Sequence, residues 1–361
     1  MSSGKIKGVE HASIPSQRIA YLDVAKGIGI LLVVLGHNAV KDFLPWMDQF
    51  IFSFHMPFFF LLSGMLFKPK YPLPVLFKRR FTTLIIPYLT TIFLLYSIYL
   101  FFTETPLMTI AQRILRNLYA SGNYIEWAQM WFLPHLFVLN LFAGALFLLF
   151  YGRIEALWLR LTFLAGMLWG GIAFLPVFYM KEASLFGRTI LLDGLPLSID
   201  LLFITAAFFL IGYEIRRVVP EQFFRSRWVL FLSGALLLAL NIAFSYRINL
   251  FIRVYESFIV NTLEALAGSV FILALSNLIA ERESKLYSIL NYFGQITIVL
   301  LIFHQPAQRI TFYKMLDLID NPYLAGLVAF VVSVGIPVLI YQMILRHNPR
   351  LATWFGVRQV N

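Results

Sequence analysis

The chain has 361 residues, of which 60% are hydrophobic, 17% aromatic and only 13% charged. A soluble domain carries about 25% charged residues, so this chain cannot cover a water-facing surface, and most of its exterior must face lipid. The net charge of +11 is spread over short segments between apolar stretches, which makes a poor nucleic-acid surface. The absence of cysteine excludes disulfides and thiolate metal sites.

Residues 1–17 are polar and lack the apolar core and small-residue cleavage site of a signal peptide. They are expected to be a cytoplasmic tail ahead of a membrane domain over 18–346, with a second cytoplasmic tail over 347–361. About 20 apolar residues cross a hydrocarbon core of roughly 30 Å. On that basis the chain presents ten candidate spans: Ile28–Val40, Gln49–Phe67, Phe81–Thr103, Trp127–Gly152, Leu161–Met180, Pro196–Tyr213, Trp228–Tyr246, Ser257–Ala280, Leu286–Gln308 and Asn321–Leu345. The alternation of a β-barrel is missing, so the expected fold is an all-α polytopic membrane protein of about ten transmembrane helices. With both termini cytoplasmic, most of the 29 basic residues fall on the inner side, as the positive-inside rule requires.

Ionisable groups at membrane depth are costly and are functional candidates by default. The first helix carries Asp23, Lys26 and His37. Lys26 and His37 are eleven residues apart, about 1100° of helical rotation, so they share a face roughly 16 Å apart along the axis. Asp23 lies one turn before Lys26 and can pair with it. An imidazole suits removal of a hydroxyl proton near neutral pH; the alternative for His37 is an interhelical hydrogen bond.

The second span contributes His55 beside Pro57, in a structural or a substrate-facing role. A basic run with Lys78, Arg79 and Arg80 then leads into the third span. Besides setting topology, these cations precede a helix and suit phosphate binding, as does Arg18. Trp131, His135, Asp200, Glu264 and His304 fall in the outer halves of their spans, as packing residues or as the lining of an outward polar cavity for an acceptor. The connections 104–126 and 181–195 are expected outside, as connectors or as the entrance to that cavity.

The stretch from Arg18 to His37, His55-Met56-Pro57 with Ser63-Gly64, Lys78-Arg79-Arg80-Phe81 with Pro87-Tyr88, Trp131-Phe132-Leu133, and Gly294 to Ile298 with Phe303-His304 together resemble the acyltransferase-3 family of bacterial membrane proteins. The closest look is to its fucose 4-O-acetylase-like branch. The resemblance spans about 17–345. The family's motif of a basic residue, ten spacers and a histidine falls on Lys26 and His37, although many members carry Arg where this chain has Lys26; bidentate recognition is thereby lost.

The resemblance implies a membrane O-acyltransferase, commonly an O-acetyltransferase, of the bacterial cytoplasmic (inner) membrane. It would move the acyl group of cytoplasmic acyl-CoA (acetyl-CoA) to a hydroxyl of an extracytoplasmic glycan or lipid-linked sugar. No permanently bound cofactor and no metal are implied. The expected assignments are His37, Lys26 and Asp23 as catalytic; Arg18, Lys78, Arg79 and Arg80 for the donor; His55, Trp131, His135, Glu264 and His304 for the acceptor. A proton-coupled transporter or exporter using His37, Asp23 and Glu264 is the rival reading. A scaffold without catalysis is the third.

Overall fold

A computed structural model of the chain describes residues 19–69, 71–102, 106–185, 188–282 and 284–357. The helices in chain order are α1 (Ala20–Gly36), α2 (Pro45–Phe52), α3 (His55–Met65), α4 (Leu73–Arg80), α5 (Ile86–Phe102), α6 (Leu107–Tyr119), α7 (Phe132–Leu149), α8 (Leu157–Phe178), α9 (Leu202–Val218), α10 (Glu221–Arg225), α11 (Arg227–Ala243), α12 (Phe258–Ala280), α13 (Lys285–Gln295), α14 (Thr297–Ile319), α15 (Pro322–Ile340) and α16 (Pro349–Trp354). An antiparallel hairpin, β1 (Tyr179–Leu185) with β2 (Arg188–Asp193), and a two-residue pair, β3 (Ile248–Asn249) with β4 (Val254–Tyr255), are the strands among the described residues. The connection over 181–195 is therefore largely a hairpin, and α6 is the amphipathic helix that the 104–126 connection allows.

Among the described residues, six helices are long and apolar enough to cross a bilayer: Leu73–Ile98, Ala128–Leu149, Leu157–Phe178, Pro196–Val218, Phe258–Ala280 and Pro322–Leu345. A seventh results if α13 and α14, bent by 85° about Ile296, count as one broken span. This corrects the expectation of ten. The segment Gln49–Phe67 breaks at Ser53–Phe54 into helices of 8 and 11 residues. Pro57 explains the break, because it has no N–H for the carbonyl of Ser53 and its ring crowds that turn. Both α1 and α11 hold 17 residues. The first stops at Gly36 because Asn38 turns outward, capping Val40 N–H at 3.1 Å and donating to the Gly326 carbonyl at 2.8 Å.

Two crossings bring backbones into contact. A Cβ at Gly27 would lie 2.0 Å from the Leu290 carbonyl oxygen, and one at Gly294 would lie 1.8 Å from that of Asp23. Gly64 meets the Phe209 carbonyl and Gly212 that of Leu61 in the same way. Small residues thus seat α1 on α13 and α3 on α9, the usual solution where lipid gives no hydrophobic drive to helix pairing.

Ion pairs mark two ends of the bundle. At one, Glu214 holds Arg160 at 2.7 Å and Arg217, Arg225 bridges Glu221 and Glu281, and Tyr21 stacks on Phe224. At the other, Arg253 lies bidentate on Asp200 at 2.9 and 3.1 Å and also donates to Ser121. There Asp48 joins Lys41 and Arg247.

Candidate functional site

The helical periodicity of α1 sets Lys26, Ile30, Val33 and His37 in one line. Lys26 Nζ pairs with Asp23 at 2.8 Å and is part-exposed, with 28% of its side chain accessible. Ile30, Val33 and His37 turn inward and line a cavity of about 50 Å³ with His55, Gln129, Trp131, Thr297 and Leu301. That is room for a few water-sized groups, not for a whole sugar.

His37 caps the C-terminus of α1, its ring centre 5.5 Å from that of His304. His304 Nδ1 contacts the Leu300 carbonyl at 2.8 Å, and His55 Nδ1 contacts that of Ile51 at 2.8 Å. A carbonyl only accepts, so both neutral rings carry the proton on Nδ1 and present Nε2 as a lone pair. His304 is fully buried, and its Nε2 has no hydrogen-bond partner among the described residues. The Oε1 atoms of Gln129, Gln305 and Gln308 are likewise without one. Buried polar atoms are normally satisfied, and all four of these are acceptors, so each has capacity for a donor such as a hydroxyl. Gln308 also donates to the Val34 carbonyl at 2.9 Å, tying α14 to α1.

The other expected acceptor residues do not converge there. Trp131 lines the cavity, but His135 sits behind it, ring centres 5.3 Å apart, with one nitrogen 3.3 Å from the Leu197 carbonyl and the other 3.0 Å from Thr205 Oγ1. Glu264 is held by Asn241 at 3.0 Å and Asn261 at 3.1 Å. Asp200 is committed to Arg253. His135, Glu264 and Asp200 thus each belong to a local hydrogen-bonding network.

A second, basic cavity of about 560 Å³ is lined by Lys78, Arg79, Thr82, Thr83, Pro349, Thr353, Gly356 and Val357. Lys78 and Arg79 are exposed, and Arg79 lies over the Tyr71 ring at 4.5 Å. Arg80 is part-buried and is not among the lining residues. Arg18 lies outside the described residues, as does the polar tail over 1–17. The π-helical turn Phe81–Ile85 precedes Pro87, which has no N–H for the Thr83 carbonyl. Gly356 packs against that carbonyl, Pro87 and Ile298. Ile298 directly follows Thr297 of the inner cavity, so neighbouring residues of α14 touch that cavity and the Gly356 wall of the basic one.

The sequence reading passed over Gln129, Thr297 and the segment 349–357. An uncharged polar residue in an apolar span was the available signal for Gln129. Segment 349–357, expected within a tail, is helical over Pro349–Trp354 and buries Ala352, Phe355 and Val357.

Several helices long and apolar enough to cross a bilayer, packed around a small cavity lined by His37 and His55, make this a multi-pass membrane protein. A family model described as an acyltransferase domain, that of the acyltransferase-3 family, matches residues 19–342. The chain belongs to this family, and it is a membrane acyltransferase. No curated protein and no solved structure matches it.

Proposed function

We propose that the protein is an O-acetyltransferase of a bacterial cytoplasmic membrane, with acetyl-CoA as donor and a hydroxyl of an extracytoplasmic glycan as acceptor. The carrying observation is the small inner cavity lined by His37 and His55, with the His304 ring packed 5.5 Å from that of His37; Gly356 of the cavity edged by Lys78 and Arg79 touches Ile298, next in the chain to Thr297 of the inner one. The cluster Lys78, Arg79 and Arg80 beside an apolar stretch supports a cytosolic position for the basic end. Nucleotide phosphates would then meet Lys78 and Arg79 from the cytosol, with Arg80 adding to the local positive field.

The thioester carbonyl enters the imidazole cavity, whose size favours acetyl over long acyl chains. His37 takes the proton of the acceptor hydroxyl as its oxygen attacks that carbonyl. The C–S bond then breaks, and the proton returns to the departing thiolate as free CoA. His55 Nε2, on the same cavity wall, is free to accept from a neighbouring hydroxyl of the acceptor, and His304 packs against the His37 ring and holds it in place. The part-exposed Lys26, fixed by Asp23, continues the His37 stripe and presents N–H donors along the donor's path.

His37→Ala in membranes with unaltered expression tests the reading. Glycan acetylation, followed by mass analysis, should disappear while the protein stays inserted. Wild-type acetylation by that variant would remove His37 from the mechanism.

A further inference from the structure

Half of the basic cavity is built by a part of the chain that the family match does not reach. Lys78, Arg79, Thr82 and Thr83 form one wall, and Pro349, Thr353, Gly356 and Val357 form the other, beyond residue 342 where the match ends. The second wall is folded, not draped. Asn348 caps α16 by accepting from Leu351 N–H at 3.1 Å, and the helix packs on α5 and on the turn Phe81–Ile85. Its exit is fixed by Gly356 at φ +70°, where a Cβ would lie 2.7 Å from Ile298 and 2.8 Å from Pro87. Phe355 rests on Phe303, ring centres 5.4 Å apart, next in the chain to His304.

We infer that the segment Pro349–Val357 is a specificity wall of the donor site, which makes the protein select a nucleotide-bearing thioester over a shorter one. This rests on the acyl-CoA reading above. Two exposed cations on one wall attract a phosphate from any direction. The opposing wall converts that attraction into a bounded pocket, in which Thr353 is the exposed helical residue facing the cations across the cavity. A phosphate between the walls feels any charge placed at position 353. Trp354 is 53% exposed and outside the lining, so a charge there points elsewhere.

The test uses the full chain in phosphatidylcholine nanodiscs, with titration of CoA and KM for acetyl-CoA and for S-acetyl-pantetheine, which has no phosphate. Thr353→Glu should weaken CoA binding about tenfold or more through like-charge repulsion, and Thr353→Lys should tighten it. Neither should move KM for acetyl-pantetheine, and Trp354→Glu should bind CoA as wild type does. Two variants weakening CoA alike, or both matching wild type, would overturn the wall while leaving acetyl transfer by the wild-type protein intact. A wild-type protein that neither binds CoA nor uses acetyl-CoA would remove the donor itself. Nanodiscs with added phosphatidylglycerol separate the remaining phosphate source: lipid occupancy with no CoA binding would assign the cavity to a headgroup and overturn the inference.

Discussion

Replacing Gly27 by Ala should loosen the α1–α13 crossing and move the Lys26–His37 stripe. The added methyl would stand 2.0 Å from the Leu290 carbonyl oxygen and 2.8 Å from its carbon, where real contacts begin near 3.0 Å. A backbone carbonyl in a helix cannot swing aside, so α1 must retreat from α13 by about an ångström, and interiors packed to crystal density do not absorb such a shift locally. Overpacking of this kind costs about 1–3 kcal/mol, at the upper end when backbone is the obstacle. The change from Gly to Ala in a helix returns about 1 kcal/mol, leaving a net loss of about 2 kcal/mol. Ile30, Val33 and His37 shift with α1 relative to Thr297 and Leu301, so turnover should fall more than the folded fraction does.

The assay is thermal unfolding in detergent beside acetyl transfer normalised to folded protein. Gly166→Ala and Gly170→Ala in α8, where nothing lies within 4 Å of the new methyl, supply the comparison and should be neutral or stabilising. If Gly27→Ala melts with those controls and turns over normally, the close crossing is not what seats the stripe.

Asp200→Asn leaves the Arg253 guanidinium, with only 1% of its side chain accessible, without its carboxylate. Breaking a buried pair in this way costs about 3–5 kcal/mol, so protease cleavage in the 181–195 connection should accelerate; unchanged cleavage would show that the pair does not hold that end. The two fully enclosed rings, His304 and His135, should separate by kinetics. His304→Ala removes the ring packed against His37 and should lower kcat/KM by up to about tenfold, the worth of one hydrogen bond. His135→Ala, with both ring nitrogens engaged elsewhere, should lower the melting temperature and leave kcat/KM per folded molecule in place. Reversed effects for the two histidines would exchange their roles.

The amino-acid sequence alone determined the membrane class and the alignment of Lys26, Ile30, Val33 and His37, because composition and a 3.6-residue period are local properties that survive any packing. It also contained the cause of one broken span, Pro57, although uncharged length read as a single crossing there. The 85° turn at Ile296 and the early end of α1 at Asn38 came from partners hundreds of positions away, such as Gly326 and the Asp23 backbone under Gly294. Only the tertiary structure decided that His37 and His55 line one cavity and that His304 packs against His37. His304 meets His37 because α14 folds back along α1, while His135 and Glu264, equally polar in equally apolar spans, found partners in their own neighbourhood. The same holds for 349–357, whose wall-forming role depends on docking against the Thr83 carbonyl and Ile298. A sequence specifies which groups want partners; the long-range packing chooses among partners of similar chemistry, and that choice separates a reaction chamber from a hydrogen-bonded helix contact.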